Sequence, residues 1–342
     1  MILRSDILLL DVGGTFIKCA DGRCIPMPSG GSREEIASAL QQAVAGWNSP
    51  AWCGPELVCG KQKASPLSGT AFRIPVPAPQ SPAQCRIGVA IPGPFDYGRG
   101  IFLMRHKFAA VYGESFRALA ALPEDCDIRF RHDVIAALEG CLVQQDAAGD
   151  CGAGPDCGKH SPTGVMLSAF RSPDPGHIKP AAPVPQNTAL VTIGTGLGFA
   201  HTLDGTVQVG PNGSPAQSIY NLPWGDGILE DIVSARGVRN AFARLSGRSN
   251  LSTAQIAGLA NAGDECALQV FSTLGETLGE ALAPLLEELH IGTLLLAGQV
   301  ARSFPLFQRP LCNALDGIAI QPAPDGAVFA GLATLFQDNE KE

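Results

Sequence analysis

No apolar run in this chain reaches the length of a membrane-crossing helix, which excludes a membrane-spanning class. The first residues, Met1-Ile2-Leu3-Arg4-Ser5-Asp6, lack the basic segment, apolar stretch and small-residue cleavage site of a secretory leader. A cytoplasmic address is therefore expected. There is no basic block either: the formal net charge is −8 and the charges are scattered. That argues against binding nucleic acid through its phosphate backbone. It leaves a nucleotide open, because Mg2+ offsets phosphate charge locally. Among 11 cysteines there is no CxxC pair, and scattered cysteines in a large cytosolic chain are expected as small reduced hydrophobes. Cys151, Cys157 and His160 lie close together, but no fourth ligand is identifiable. Structural zinc sites are normally closed by four ligands, so no zinc is expected.

What is present is a chain of 342 residues, 45% hydrophobic and 16% charged, long and apolar enough for two cored domains or one large one. Residues 7–12 and 16–20 read as strands joined by a glycine turn, and Asp21-Gly22 is a second hairpin signal. Residues 34–46 carry apolar positions at helical spacing and stop at Gly46. Residues 48–82 are rich in Pro, Gly and Ser and read as irregular or short strands. A strand over 86–91 ends at Pro92-Gly93-Pro94, and a strand over 127–131 leads into a helix beginning near Asp133. Residues 145–188 read as an irregular insertion. Order resumes with strands over 189–193, 197–203 and 206–209, separated by a glycine turn and Asp204-Gly205. Helical patterns follow over 227–245, 252–261 and 265–289, then a buried strand over about 293–297 with a glycine turn and helix, and a last helix after Asp325-Gly326. Strand, glycine-rich turn, strand and hairpin thus occur at residue 7 and again at residue 189, an echo at domain spacing that suggests two similar halves.

The glycine turns carry the chemistry. The first, "DVGGT", has neither the GxxxxGK[ST] loop nor the GxGxxG fingerprint, and a strand rather than a helix follows it. Phosphate held here would rest on the backbone N–H groups of a hairpin, where glycine permits close approach. Asp11 at the strand end suits Mg2+ through its water shell, and Lys18 supplies a point charge. A plain hairpin turn is the alternative reading of Gly13 and Gly14. The second turn, "TIGTGLG", repeats the setting with Gly194, Thr195, Gly196 and Gly198, and Ala297-Gly298 end a strand where small residues would let a flat ring lie against the backbone.

With these elements in this order, the sequence resembles the actin-like superfamily of ATP-dependent sugar kinases, and within it the ROK family of bacterial sugar kinases and repressors. The matching segments are "LLLDVGGTFIK", "GVAIPGPFD", "RHDVIAALEG", "VTIGTGLG", "GILEDIVSARGV" and "LLLAGQVA". The resemblance implies an α/β fold of two ribonuclease-H-like domains with a cleft between them. Residues 1–138 and a C-terminal helix, 327–342, would form one lobe, and 139–326 the other. It implies ATP and Mg2+ as cofactors, bound by Asp11, Gly13, Gly14, Thr15, Lys18, Gly194, Thr195, Gly196, Gly198, Ala297 and Gly298, with Asp11 serving the metal. It makes Asp133 the general base that takes the proton of the attacking sugar hydroxyl; a helix N-cap is the compatible plain reading. His132 stands where the family usually has a sugar-binding Asn. Glu230 matches a family Glu that contacts sugar hydroxyls, with an exposed first-turn helix acid as its alternative and Asp231 as its neighbour.

Two family features are missing: the ExGH element and the cysteine-rich zinc motif. "GPNGSPAQSIYNLPWGDG" stands in place of the first, so the sugar pocket is expected to use His132, Asn212, Gly213 and Glu230, with Tyr220 and Trp224 as stacking candidates. Residues 104–116 look like a family segment near the sugar, with no single residue marked out. The expected activity is phosphorylation of a hexose or hexosamine. A catalytically silent sugar sensor and a kinase of a non-sugar substrate are the alternatives. A repressor is disfavoured because the first strand begins near residue 7, leaving no room for a helix-turn-helix ahead of it. A small-molecule sugar is the expected partner, with no nucleic acid or membrane, and a homodimer is one oligomeric option.

Overall fold

A computed structural model describes residues 7–45, 85–149 and 187–337. The Cys151, Cys157 and His160 group, the stretch over 48–82 and most of the 145–188 insertion lie outside the described residues.

The described chain divides into two compact units. The first draws on Met1–Gly140 and Pro324–Glu342 and also takes Val209–Ser218; the second draws on Cys141–Gln208 and Ile219–Ala323. Residues 209–218, expected in the second lobe, thus cluster with the first.

The first unit is built on a five-stranded mixed sheet. Its strands are β1 (Ile7–Val12), β2 (Phe16–Cys19), β3 (Cys24–Pro26), β4 (Arg86–Ile91) and β5 (Asp127–His132), in the order β3-β2-β1-β4-β5. The hairpin strands run antiparallel, whereas β4 and β5 join in parallel. The near-continuous apolar runs of β1 and β4 follow from burial on both faces: Leu8, Leu9, Leu10, Val89, Ala90 and Ile91 are all buried. Removing one such leucine side chain from water is worth about 1.5–3 kcal/mol. Helix α1 (Arg33–Val44) starts on a capping box, in which Ser32 Oγ accepts the Glu35 N–H (3.2 Å) and Glu35 accepts the Ser32 N–H (2.8 Å). It buries Ile36, Ala37, Leu40 and Ala43, spaced three and four apart. Helix α2 (Asp133–Gly149) leaves the end of β5 and meets the C-terminal α8 (Ala327–Thr334). That contact requires glycine on both sides. A Cβ at Gly140 would lie 1.8 Å from the Ala327 carbonyl oxygen, and one at Gly331 1.9 Å from that of Ala136.

The second unit repeats the pattern: β6 (Asn187–Ile193), β7 (Leu197–Leu203), β8 (Thr206–Val207), β9 (Ile291–Ala297) and β10 (Ala319–Pro322), ordered β8-β7-β6-β9-β10. Its core is formed by the sheet with α4 (Ala235–Ser246), α5 (Thr253–Asn261), α6 (Glu265–Glu288) and α7 (Phe304–Ala314), through residues such as Val191, Phe242, Phe271, Leu278, Leu296 and Phe307.

Several expectations are corrected. The strand expected over 206–209 ends at Val207, because Val209 bridges Pro215 within the first unit. The helix expected over 227–245 is broken: a short helix, α3 (Leu229–Ile232), stops before Ser234, whose hydroxyl accepts the Gly237 N–H and starts α4 afresh. The break lets the Ala235 N–H reach the Gly194 carbonyl at 2.8 Å. The cysteines are not all reduced: Cys85 and Cys126, at the starts of the adjacent parallel strands β4 and β5, are joined as a disulfide with their Cα atoms 4.6 Å apart. Cys19, Cys24, Cys141, Cys266 and Cys312 are free.

Candidate active site

In the first unit the β1–β2 register sets Asp11 directly opposite Lys18, and Lys18 Nζ lies 3.1 Å from Asp11 Oδ2. The turn between them closes on the Gly13 N–H, which donates to the Phe16 carbonyl (2.9 Å). Thr15 is exposed at the tip. The turn is held from outside by Ser29, whose hydroxyl donates to the Gly14 carbonyl (2.6 Å) and whose own carbonyl accepts the Phe108 N–H (2.7 Å). Phe108 is fully buried and has φ +55°, and it fixes the preceding Lys107.

Asp133 begins α2 at the end of β5. Its Oδ1 lies 2.8 Å from His132 Nδ1 and accepts the Val134 N–H at 2.8 Å. An N-cap acid usually takes an amide two or three residues further on, so capping does not account for this carboxylate. Burial pushes Asp133 upward, but the His132 ring, the Val134 N–H and the charge of Lys107 outweigh it and hold the carboxyl below its usual range. Asp11 is displaced the other way: burial raises it first, against the opposing Lys18 ammonium, and the Asp133 charge adds to the rise. The Asp133 charge is thus felt at Asp11, and both groups are hard oxygen donors of the kind a divalent cation takes. No cluster of three or more His, Cys, Asp or Glu side chains occurs among the described residues. Asp11, at the mouth of the glycine turn, is a hard oxygen donor of the kind that would anchor Mg2+ whose remaining ligands are water and phosphate oxygens.

The sequence did not mark Tyr97. Its hydroxyl donates to the Ile91 carbonyl (3.1 Å), its ring lies 5.9 Å from that of His132, and a Cβ on Gly213 would come 3.0 Å from Tyr97 Cδ2. Burial, and then the Asp133 charge, push its pKa up from the usual tyrosine value, so the phenol stays protonated. Tyr97 is thus a wall that joins Gly213, which has φ +77°, to the His132–Asp133 pair. Asn212 is exposed beside it.

In the second unit the glycine turn is fastened by the backbone. The Gly194 N–H donates to the Gly196 carbonyl (2.9 Å), the Ala235 N–H to Gly194, and the Val300 N–H to the Ile193 carbonyl (2.9 Å). Gly298, after Ala297 at the end of β9, has φ +96°, and a Cβ there would lie 2.4 Å from the Ile193 carbonyl oxygen. Thr195 is exposed, Gly198 lies within β7, and around Gly194 a Cβ would find open space. Glu230 is half-buried and accepts the Leu197 N–H (2.9 Å), next to Gly196. It is therefore tied to the glycine turn rather than free on a helix surface. Asp231 is taken up by the Ile228 N–H (3.3 Å) and Arg236 (2.7 Å). Trp224 packs against the core, and Tyr220 is 47% exposed while its carbonyl accepts the Glu230 N–H.

Two five-stranded mixed sheets of the same order, each with a glycine turn in its first hairpin, define an α/β protein of the class found in ROK sugar-kinase structures. A ROK family glucokinase from Streptomyces griseus, solved with glucose and AMPPNP, matches with a TM-score of 0.64 at 16% identity, over 96% of this chain and 98% of that one. A ROK family transcriptional regulator, a homologue of the E. coli MLC protein, matches with a TM-score of 0.59 at 15% identity, over 96% of this chain and 76% of that one. In sequence, residues 180–328 match the model of the ROK family. A glucokinase from Halalkalibacterium halodurans is 27% identical over 178 residues, 45% of this chain and 53% of that protein. This match spans about half the length of the curated relative. The resemblance drawn from the sequence holds: residues 180–328 match the ROK family model, and the fold of ROK-family structures extends along nearly the whole chain. Among the described residues no helix is long and apolar enough to cross a membrane.

Proposed function

We propose that the protein is an ATP-dependent kinase of a hexose or hexosamine, with Asp133 as general base. The observation that carries the reading is the Asp133 carboxylate. It is kept ionised by His132 and Val134, at the end of a strand that shares a sheet with the Asp11 hairpin. In the reaction the acceptor oxygen forms a bond to the γ-phosphorus and the bond to the β–γ bridging oxygen breaks. The hydroxyl proton goes to Asp133, and ADP leaves. A carboxylate below its usual range is a weak base in the ground state, so proton transfer follows the charge that develops on the attacked hydroxyl. His132, bonded to Asp133, fixes the direction in which the carboxylate points. Tyr97 and Gly213 back that pair, Asn212 and His132 are the groups that the first unit offers to sugar hydroxyls, and Glu230 is the candidate for that role in the second. Mg2+, when bound, would neutralise phosphate charge, with Asp11 as its anchor. In the second unit Gly194, Thr195, Gly196 and Gly198 provide the further phosphate turn, and Ala297 and Gly298 the flat adenosine surface.

The similarity of residues 180–328 to the ROK family and the glucokinase relative support this reading. The regulator among the structural matches keeps one alternative specific: a sugar sensor on the same fold. A coupled ADP-release screen over neutral hexoses and N-acetylated hexosamines decides between them. Turnover that depends on the added sugar is expected. Sugar binding without ADP release across the panel would favour the sensor, and ADP release independent of any sugar an ATPase.

A further inference from the structure

We propose that Lys107, whose side chain lies against the glycine turn of the first unit, is the cation that contacts the transferring phosphoryl group. The inference rests on the kinase reading above.

The argument is geometric. The aliphatic stem of Lys107 lies against Gly14: a Cβ placed there would be 3.5 Å from Lys107 Cδ and 3.8 Å from Cε. The stem is held in place. Phe108, the next residue, is fully buried in the first core and packs at a tilt against Phe102 with ring centroids 5.3 Å apart. Its N–H is bonded to Ser29, whose hydroxyl holds the Gly14 carbonyl. The same serine thus ties together the turn and the segment that carries the lysine. The ammonium charge also contributes, after His132 and the Val134 N–H, to favouring the ionised form of Asp133. Among the described residues no hydrogen bond or ion pair joins Lys107 to a carboxylate within 4 Å, whereas Lys18 is paired with Asp11 and Arg131 with Glu139. One half-buried cation without a carboxylate partner among the described residues therefore lies against the phosphate-type backbone turn of the first unit, close enough for its charge to be felt at Asp133. There it would neutralise charge on the γ-phosphate oxygens as the β–γ bond breaks, the role that preorganised cations play in phosphoryl transfer. Lysine suits a point contact of this kind.

The test compares the wild type with Lys107→Met and Lys107→Arg, measuring kcat and KM separately for ATP and for the best neutral sugar of the panel. Hexuronates and aldonates are included as alternative acceptors. Lys107→Met is expected to lower kcat about 100-fold or more, with the sugar KM within about threefold, while Lys107→Arg recovers at least about tenfold of the loss. A kcat for Lys107→Met within about threefold of wild type would overturn the assignment, with Lys107→Arg confirming that the site tolerates substitution. A loss confined to the acceptor KM, or a wild-type preference for acidic acceptors that Lys107→Met abolishes, would overturn it in favour of a substrate-binding lysine. No turnover by the wild type with any acceptor would defeat the kinase reading itself, and the Lys107 assignment with it. The two failures are thus distinguishable.

Discussion

The two glycine turns occupy equivalent places in sheets of the same order, yet they are held by different means. The first is surrounded by charged side chains: Asp11, Lys18, Lys107 and Asp133 all lie on or beside it. The second is fastened by backbone, with amides from Ala235 and Val300 reaching its carbonyls and Glu230 the one carboxylate bonded to it among the described residues. A repeated fold has thus been divided between two tasks. One turn gathers titratable chemistry. The other is a rigid frame whose shape depends on close backbone approach. Substitutions therefore have different consequences in the two places.

The largest expected effect on stability comes from alanine at the frame. Gly298→Ala sets a Cβ 2.4 Å from the Ile193 carbonyl oxygen at φ +96°. A loss of about 1–3 kcal/mol from the backbone conformation alone, plus the collision, is expected. At the other turn, Gly14→Ala meets nothing closer than Ser29 Oγ at 3.4 Å. It should fold with a stability within about 0.5 kcal/mol of wild type while raising the ATP KM. Thermal midpoints and ATP kinetics of the two variants check this directly. Equal destabilisation would erase the distinction between frame and chemistry.

A smaller effect sharpens the picture of the first hairpin. Burial pushes the Cys19 thiol up to about 11, against the opposing charge of Arg23, whereas Cys24 on the next strand is exposed. Native protein treated with iodoacetamide at neutral pH is expected to be alkylated at Cys24 and spared at Cys19, as peptide mass spectrometry would show. The sign of the linkage follows. The folded state keeps the Cys19 proton above the ordinary value of 9.0, so this contribution to stability is complete below that pH and is lost as pH rises through about 11. Labelling of Cys19 at the rate of Cys24 would mean that the hairpin opens.

Much of this architecture was legible in the sequence, and the reason is burial. β1, β4, β6 and β9 are continuous apolar runs ended by glycine or proline, and their spans were read to within about two residues. Two of the edge strands were not: β3 and β10 are three and four residues long, partly exposed and without a run of their own. The break at Ser234 was also invisible, because the Ala235 N–H that follows it bonds Gly194, forty-one positions earlier than Ala235 in sequence. The same limit explains the site. Asp11, Asp133 and the glycines stand next to strand ends and announce themselves. Tyr97 and Lys107 acquire their meaning only through Gly213, Ser29 and Phe108, which the sequence does not place beside them. The Cys85–Cys126 bond, across 41 residues, is a consequence of strand pairing and could not be read from spacing.

The most direct test of the central claim is Asp133→Ala in the sugar-dependent assay, with ATP affinity measured on the same preparation. Loss of the base should lower kcat by about 10²–10⁴-fold, while the ATP dissociation constant stays within about threefold of wild type. Sugar-dependent turnover that survives the substitution undiminished would contradict the account and remove Asp133 from the chemistry.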